Sequence, residues 1–471
     1  MLDLKFVVQN AEAVQRNIDN RFLSHPPVVS EIVELYREHH ALHQELDGLR
    51  RQRNENAAAA KSLASMSVEE RETAKREITE RGKKIKETLA IGEQRFQELD
   101  AELQQRSRQL PNMTHPAVPV GKVDSDNEEL YVVGRIPEFD FVPKGHLELM
   151  QEQDWVDFEN AARVTGAKHY YLKNEAVFLE LSLTRFAADI LQKHGFSMCI
   201  TPDLAREEIL TGIGFQPRGE ESNTYMLQDD NLCLIGTAEI TLGGMYSGQI
   251  IDISEQPILL GGLSHCFRKE AGASGQYSKG LYRVHQFSKV EMFVFCKPED
   301  SEQMHRNLLA IEEEVFSALE IPYRVLDICT GDLGAPAYRK FDLEAWMPGR
   351  GQASDEESAG SESRSGSNGE WGEITSASNC TDYQARRLSI RYRNEEGKNV
   401  SVHTLNGTAI ALSRAIIAII ENHQQADGSV RIPKALQPYM GRDSIGPKDK
   451  SGAKKSPPSE NSVLKKNLSR K

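Results

Sequence analysis

The sequence predicts an α+β fold, with an N-terminal antiparallel coiled-coil arm joined to an antiparallel β-sheet domain flanked by helices. Three observations carry this. A heptad seam runs through the first part of the chain and resumes after a break. Strand-like segments then cluster between long helical ones without regular alternation, which favours an α+β sheet over a doubly wound parallel one. Finally, arginines and glutamates sit inside strand-forming runs, where a carboxylate is costly unless it is paired or meets a ligand.

The arm is assigned to residues 1–110. Ile32, Leu35, His39, Leu42, Leu46, Leu49, Arg53 and Asn56 advance in steps of three and four, a seam that turns polar toward its end. After Leu63-Ala64-Ser65-Met66-Ser67 a second helix carries Ile78, Ile85, Phe96, Leu99, Leu103 and Leu110, and Ser67 with Glu70 reads as a capping box at its start. Two helices of roughly 35 residues joined by a turn make an arm about 50 Å long. Its tip carries Arg50, Arg51, Arg53, Lys61, Arg71, Lys75, Arg76, Arg81, Lys83, Lys84 and Lys86, interleaved with Glu55, Glu72, Glu77 and Glu80. The charge alone leaves two readings open, a spacer or dimerisation element and a footprint for phosphate backbone.

Pro111-Asn112-Met113-Thr114-His115-Pro116 opens a linker over 111–130, and the sheet domain follows over 131–440. Strands are expected at Leu232–Ile235, Val290–Phe295 and Val400–Thr404, and helices at Glu175–His194, Ser301–Ala318 and Ala409–Gln424. The insert at 350–369 is rich in Ser, Gly and acid, and the tail at 441–471 in Lys, Ser and Pro. Neither holds enough apolar surface to offset its ordering entropy, so both are expected to be disordered.

With 471 residues the chain is long enough for about three domains. A net charge of -13 excludes a surface coated in basic charge but not a local basic patch. No apolar run approaches the roughly 20 residues of a membrane helix, and the start Met1-Leu2-Asp3-Leu4-Lys5 shows no targeting pattern. No membrane association and a cytoplasmic location are expected. The six cysteines, Cys199, Cys233, Cys266, Cys296, Cys329 and Cys380, form no C-x-x-C pair and read as reduced core residues. Neither a P-loop nor a dinucleotide fingerprint is present.

Four segments place functional groups in apolar settings. They are Gly236-Thr237-Ala238-Glu239; Phe267-Arg268-Lys269-Glu270 with Arg283 to Glu291; Trp371-Gly372-Glu373-Ile374-Thr375-Ser376 through Asn379-Cys380 to Arg387; and Asn406-Gly407-Thr408 through Arg414. Arg268 and Glu270 lie two apart, so an extended chain points both to one face. One Arg–Glu pair alone reads as a salt bridge between strands, and Arg414 alone as a core arginine satisfying carbonyls. Together, these arginines and carboxylates imply a ligand with anionic and cationic parts.

These segments resemble the motifs of class II aminoacyl-tRNA synthetases, and within them the seryl-tRNA synthetase family of bacterial type, from Met1 to about Met440. That resemblance implies the class II sheet fold and an ATP-dependent serine–tRNA ligase, which forms seryl-adenylate and transfers serine to tRNA(Ser), with tRNA(Sec) as a further substrate. It implies catalytic roles for Arg268 and Arg414, and an ATP site of Arg268, Lys269, Glu270, Val284, Phe287, Glu373, Ile374, Thr375, Ser376 and Arg414. Mg²⁺ would be held by Glu373 and Ser376, an oxygen set suited to that hard ion. Serine would be held by Thr237, Ala238, Glu239, Glu291 and Thr408. The family also implies a homodimer, with Pro202 at the interface, and tRNA recognition by the arm.

The chain departs from the family's usual pattern in the insert that follows Met347-Pro348-Gly349-Arg350, in threonine at Thr375 and Thr408, and in Ser278-Lys279-Gly280. Two other classes of function fit the sequence less well. A degenerate paralogue without catalysis would have lost one of Arg268, Glu270, Glu291 or Arg414, and all four are present. Relatives that charge carrier proteins lack the long arm.

Overall fold

The computed structural model describes residues 1–63, 67–216, 222–270, 280–350 and 369–447, the side chains of residues 68–70 excepted. The 271–279 loop, the insert's interior and the tail beyond residue 447 lie outside the described residues.

Two short helices, α1 (Leu4–Gln9) and α2 (Ala11–Asn20), precede the arm. No heptad signals them. The arm is α3 (Val29–Ser62) and α4 (Val68–Ser107), about 50 and 60 Å long at the usual helical rise. Ser67 stands at the extended N-cap position of α4, while Glu70, its partner in the expected capping box, falls among the side chains not described. Mid-arm, Leu46, Ile85 and Leu89 form a small core with Leu42, Leu49 and Phe96. Gly92 permits it, since a Cβ there would lie 2.7 Å from Leu46. Arg53 does not enter the seam and is exposed, whereas Asn56 is buried and donates to the Ile78 carbonyl at 2.9 Å.

The base of the arm docks on the sheet domain through a buried arginine. Arg21 Nη2 donates to the carbonyls of Asn112 (3.1 Å) and Ala337 (2.7 Å), and Nη1 to those of Leu333 (3.3 Å) and Gly334 (3.2 Å). Asn112, expected in a linker, is itself buried and donates to the carbonyls of Pro336 and Cys380. A buried guanidinium with its donors matched satisfies carbonyls that water cannot reach. The segment after the arm is therefore a joint packed between two bodies.

The domain is built on an eight-stranded sheet whose strands, in chain order, are β1 (Glu128–Val133), β2 (Ser197–Ile200), β3 (Ile258–Phe267), β4 (Gln286–Cys296), β5 (Tyr323–Asp327), β6 (Arg339–Met347), β7 (Glu370–Asn379) and β8 (His403–Ala411). Their spatial order is β1-β5-β6-β7-β8-β4-β3-β2. Pairing is antiparallel, as expected, along the whole sheet except at its edge, where β2 runs parallel to β3.

Both faces are covered. On β4, Val290, Met292, Val294 and Cys296 enter the main core, packed with α5 (Glu175–Lys193), α7 (Ser301–Ala318) and α9 (Leu412–Asn422). The alternate residues Phe293 and Phe295 enter a second core with α6 (Glu239–Gly244) and α8 (Tyr383–Leu388). The period of two sends Phe287, Lys289 and Glu291 to that second face as well, and this places charge at one end of an otherwise apolar surface.

Some boundaries differ from expectation. The helix expected from Ala409 begins at Leu412, because the β-branched and small residues through Ala411 stay in the ladder. Arg414 thus lies in the first turn of α9 and Thr408 on a strand. The sheet domain also runs past residue 440. Ser444–Ile445 pairs with Val430–Arg431 and buries Ile445, so the first residues of the expected tail are packed. Five of the six cysteines are buried, all are free, and no described helix is long and apolar enough to cross a membrane.

Candidate functional site

The four chemistry-bearing segments converge on the second face of the sheet. On β4, Glu291 pairs with Gly262 of β3 on one side and Thr408 of β8 on the other. A Cβ on Gly262 would lie 2.9 Å from Leu242 and 3.1 Å from Ala238, so this glycine lets α6 settle on the sheet and brings Glu239 over it. Ala238 itself points into the second core, so its methyl does not face the pocket and only its backbone is available there.

Glu239 is buried. Its Oε1 accepts from Gln384 Nε2 (2.7 Å) and Asn406 Nδ2 (2.9 Å), and its amide donates to Thr237 Oγ1 at 3.2 Å. Burial, and then the like charge of Glu291, push its pKa up to about 7. Glu291 is buried beside it, ion-paired with Lys289, and accepts from Thr408 Oγ1 at 3.3 Å. Burial raises the Glu291 pKa also, and Lys289 limits the rise. The recess is thus acidic, half compensated by one lysine.

A cleft adjoins it, lined among others by Arg268, Glu270, Val284, Phe287, Glu373 and Arg414. Arg268 lies just beyond the end of β3. Its Nε donates to the Gly236 carbonyl (3.2 Å) and its guanidinium lies 5.3 Å from the Phe287 ring centre. Glu270 reaches the same cleft by a different route from the one expected. The strand ends at Phe267, and Glu270 adopts a left-handed φ of 49°, paired with Arg283 at 3.4 Å. Lys269 turns outward from the cleft lining, its amine 5.9 Å from the Tyr225 ring centre.

Glu373 and Ser376 are three residues apart, which in a regular strand sends them to opposite faces. The register corrects this. Ser376 pairs with Asp342 and Glu373 with Glu344, two residues apart on β6, because β7 holds an extra residue at this point. The bulge therefore turns both oxygens to one face, and sends Thr375, opposite Leu343, into the core behind. Ile374 is buried there too, although it borders the cleft. Arg414 Nη1 reaches both the Glu373 carboxylate (3.2 Å) and its carbonyl (3.0 Å). Burial opposes charge on both groups, but their mutual attraction lowers the Glu373 pKa and raises that of Arg414.

Sequence reasoning passed over several residues of the site. Tyr282 lies between the Arg350 and Arg414 guanidinium groups, at 4.0 and 4.6 Å, and its hydroxyl donates to the Glu373 carbonyl at 3.1 Å. Lys289 was findable, since it stands two residues before Glu291 on the same strand. Nothing local marks Gln384 and Asn406 as holders of Glu239.

The comparisons with known proteins agree with this geometry. Residues 1–114 match the seryl-tRNA synthetase N-terminal domain, and residues 225–423 the tRNA synthetase class II core domain (G, H, P, S and T). A serine–tRNA ligase of Treponema denticola is 55% identical over 446 residues, covering 95% of this chain and 100% of the relative. One from Borrelia recurrentis is 51% identical over 449 residues, with the same coverage. Among solved structures, the seryl-tRNA synthetase of Pyrococcus horikoshii complexed with ATP superposes with a TM-score of 0.83 at 40% identity, over 95% of this chain and 100% of that one. The cytoplasmic serine–tRNA ligase of Naegleria fowleri in complex with AMP gives 0.79 at 30%, over 95% and 99%. With both of its domains matched and near-complete relatives at half identity, the chain belongs to the seryl-tRNA synthetase family and is a class II ligase of that family.

Proposed function

We propose that the chain activates L-serine with ATP and transfers it to the 3′ end of tRNA(Ser). The observation that carries this is the division of the site. Buried Glu239 and Glu291 lie close enough to repel, Glu291 accepting from the Thr408 hydroxyl, while Arg268 and Arg414 face the adjoining cleft. An amino acid's ammonium and hydroxyl suit the first part, and a polyphosphate suits the second.

In the first step a serine carboxylate oxygen attacks the α-phosphorus. A new O–P bond forms, the bond to the β-phosphate breaks, and pyrophosphate leaves with that electron pair. Arg268 would take up charge at the α-phosphate and Arg414 would hold the far end of the triphosphate. Catalysis is by positioning and electrostatics, with no protein nucleophile. Phe287 offers a ring face to adenine and Glu270 an acceptor for its amino group. In the second step a 3′-terminal ribose hydroxyl attacks the seryl carbonyl and AMP leaves.

Glu373 and Ser376 would hold Mg²⁺. They present oxygen donors on one face, and the buried Asp342 Oδ1 beside them has no hydrogen-bond partner among the described groups, which suits a hard cation completed by phosphate oxygens. When bound, the ion would neutralise phosphate charge.

The arm supports the tRNA part of the reading. Lys75, Arg76, Lys83, Lys84 and Lys86 are exposed and make no ion pair with a described residue. A grip on shape and backbone reads no anticodon, so tRNA(Sec) is included where it is present. A homodimer is proposed from the apolar surface around Pro202, where Phe178, Leu181 and Ile200 are 60%, 61% and 82% exposed.

ATP–pyrophosphate exchange tests the reading. It is expected to depend on L-serine and hardly on L-alanine, because alanine leaves buried polar groups unpaired. Equal stimulation by L-threonine would overturn the pocket assignment.

A further inference from the structure

The sheet is not laddered evenly at its centre. β7 and β8 pair only through Ala377 with Gly407, Ser378 with Asn406 and Asn379 with Leu405. Beyond Ala377 the strands part, and Thr375 and Thr408 both border the cleft that opens there. Behind this fork lies a fully buried carboxyl, Glu312 of α7. The Thr375 hydroxyl donates to Glu312 Oε2 at 2.7 Å. Oε1 has no hydrogen-bond partner among the described groups, and a Cβ on Gly407 would come within 2.9 Å of it. One carboxyl oxygen is thus bonded to β7 and the other is pressed against β8.

We propose that Glu312 is a positioning residue: acting through Thr375, its carboxyl sets the bulged, parted end of β7 and hence the aim of Glu373 and Ser376 toward ATP. This rests on the ATP reading above. No described cation pairs with Glu312, and Lys289, whose charge favours its ionised form, is engaged by Glu291. Burial, helped by the like charges of Asp342 and Glu291, outweighs the Thr375 bond and Lys289 and holds Glu312 well above the ordinary carboxylate range. The group therefore works as a neutral acceptor. Glutamine keeps the acceptor and the size, while leucine keeps only the size.

The test uses the full chain. ATP affinity is read by tryptophan fluorescence, Trp371 standing two residues from Glu373, and KM values come from pyrophosphate exchange. Glu312→Gln is expected to bind ATP within about twofold of wild type, and Glu312→Leu about tenfold more weakly, with the serine KM within about twofold. Thr375→Val should match Glu312→Leu, and the double substitution should be no worse than either alone. Unchanged ATP affinity in Glu312→Leu, equal loss for ATP and serine, or a glutamine variant as weak as the leucine one would each overturn the proposal. Should Glu312→Leu fail to fold, Thr375→Val carries the same outcomes. A wild-type chain that does not bind ATP sinks the ATP reading itself, whereas a leucine variant that binds like wild type sinks only the positioning role.

Discussion

At the scale of single residues, the proposed serine site turns on Glu239. Burial, and then the neighbouring Glu291, push its carboxyl up to about 7, yet pairing an ammonium would require its anion. The kcat/KM for serine should therefore rise by about tenfold per pH unit up to about pH 7 and then level off. The sign for stability is the reverse. Between the ordinary carboxylate value and about 7 the folded chain keeps a proton that the unfolded chain has lost, so stability falls as pH rises through that window. Glu239→Gln should flatten both profiles, and a wild-type serine profile flat from about pH 5.5 to about 8 would remove Glu239 from this role. Much of the residue-level reading was legible because charge inside strand-forming runs is conspicuous. The missing parts, Lys289, Tyr282 and Gln384, are residue types common on any surface or in any core, and only their register gives them a role.

Among elements, period and local conformation decided what could be foreseen. The helix Ser301–Ala318 lies where its periodicity places it, and the arm's helices follow their seam. Glu270 lines the cleft, and Glu373 and Ser376 share a face, through geometry the expected alternation did not include, since a left-handed residue and a β-bulge leave no trace in an alternation pattern. The short helix α1 carries too few turns to show a face, whereas α2 has one, with Val14, Asn17 and Ile18 on its buried side, that the heptad seam does not include. The arm makes its own prediction. The Leu46–Ile85–Leu89 core stands between its tip and its docked base, so deleting roughly Gln52–Ile78 should leave serine-dependent exchange within about twofold while tRNA charging is lost. Exchange falling in parallel with charging would make the arm a structural support instead.

The whole molecule is a sheet buried on both faces with an arm locked to its side. Charge gathers where the second core gives way to solvent. Arg21 and Asn112 tie the arm's base to the 333–337 backbone, the Cys380 carbonyl and the Thr381 hydroxyl, a joint no local pattern could announce because its partners lie more than two hundred residues apart. The central claim is that one cleft is split between two substrates, with the arginine half for ATP and the carboxylate half for serine. Steady-state exchange on Glu291→Gln and Arg414→Ala, with KM measured for each substrate, tests it most directly. The split site predicts that Glu291→Gln raises the serine KM by about tenfold or more with the ATP KM within about twofold, and that Arg414→Ala does the opposite. Both substitutions raising both KM values alike would contradict it.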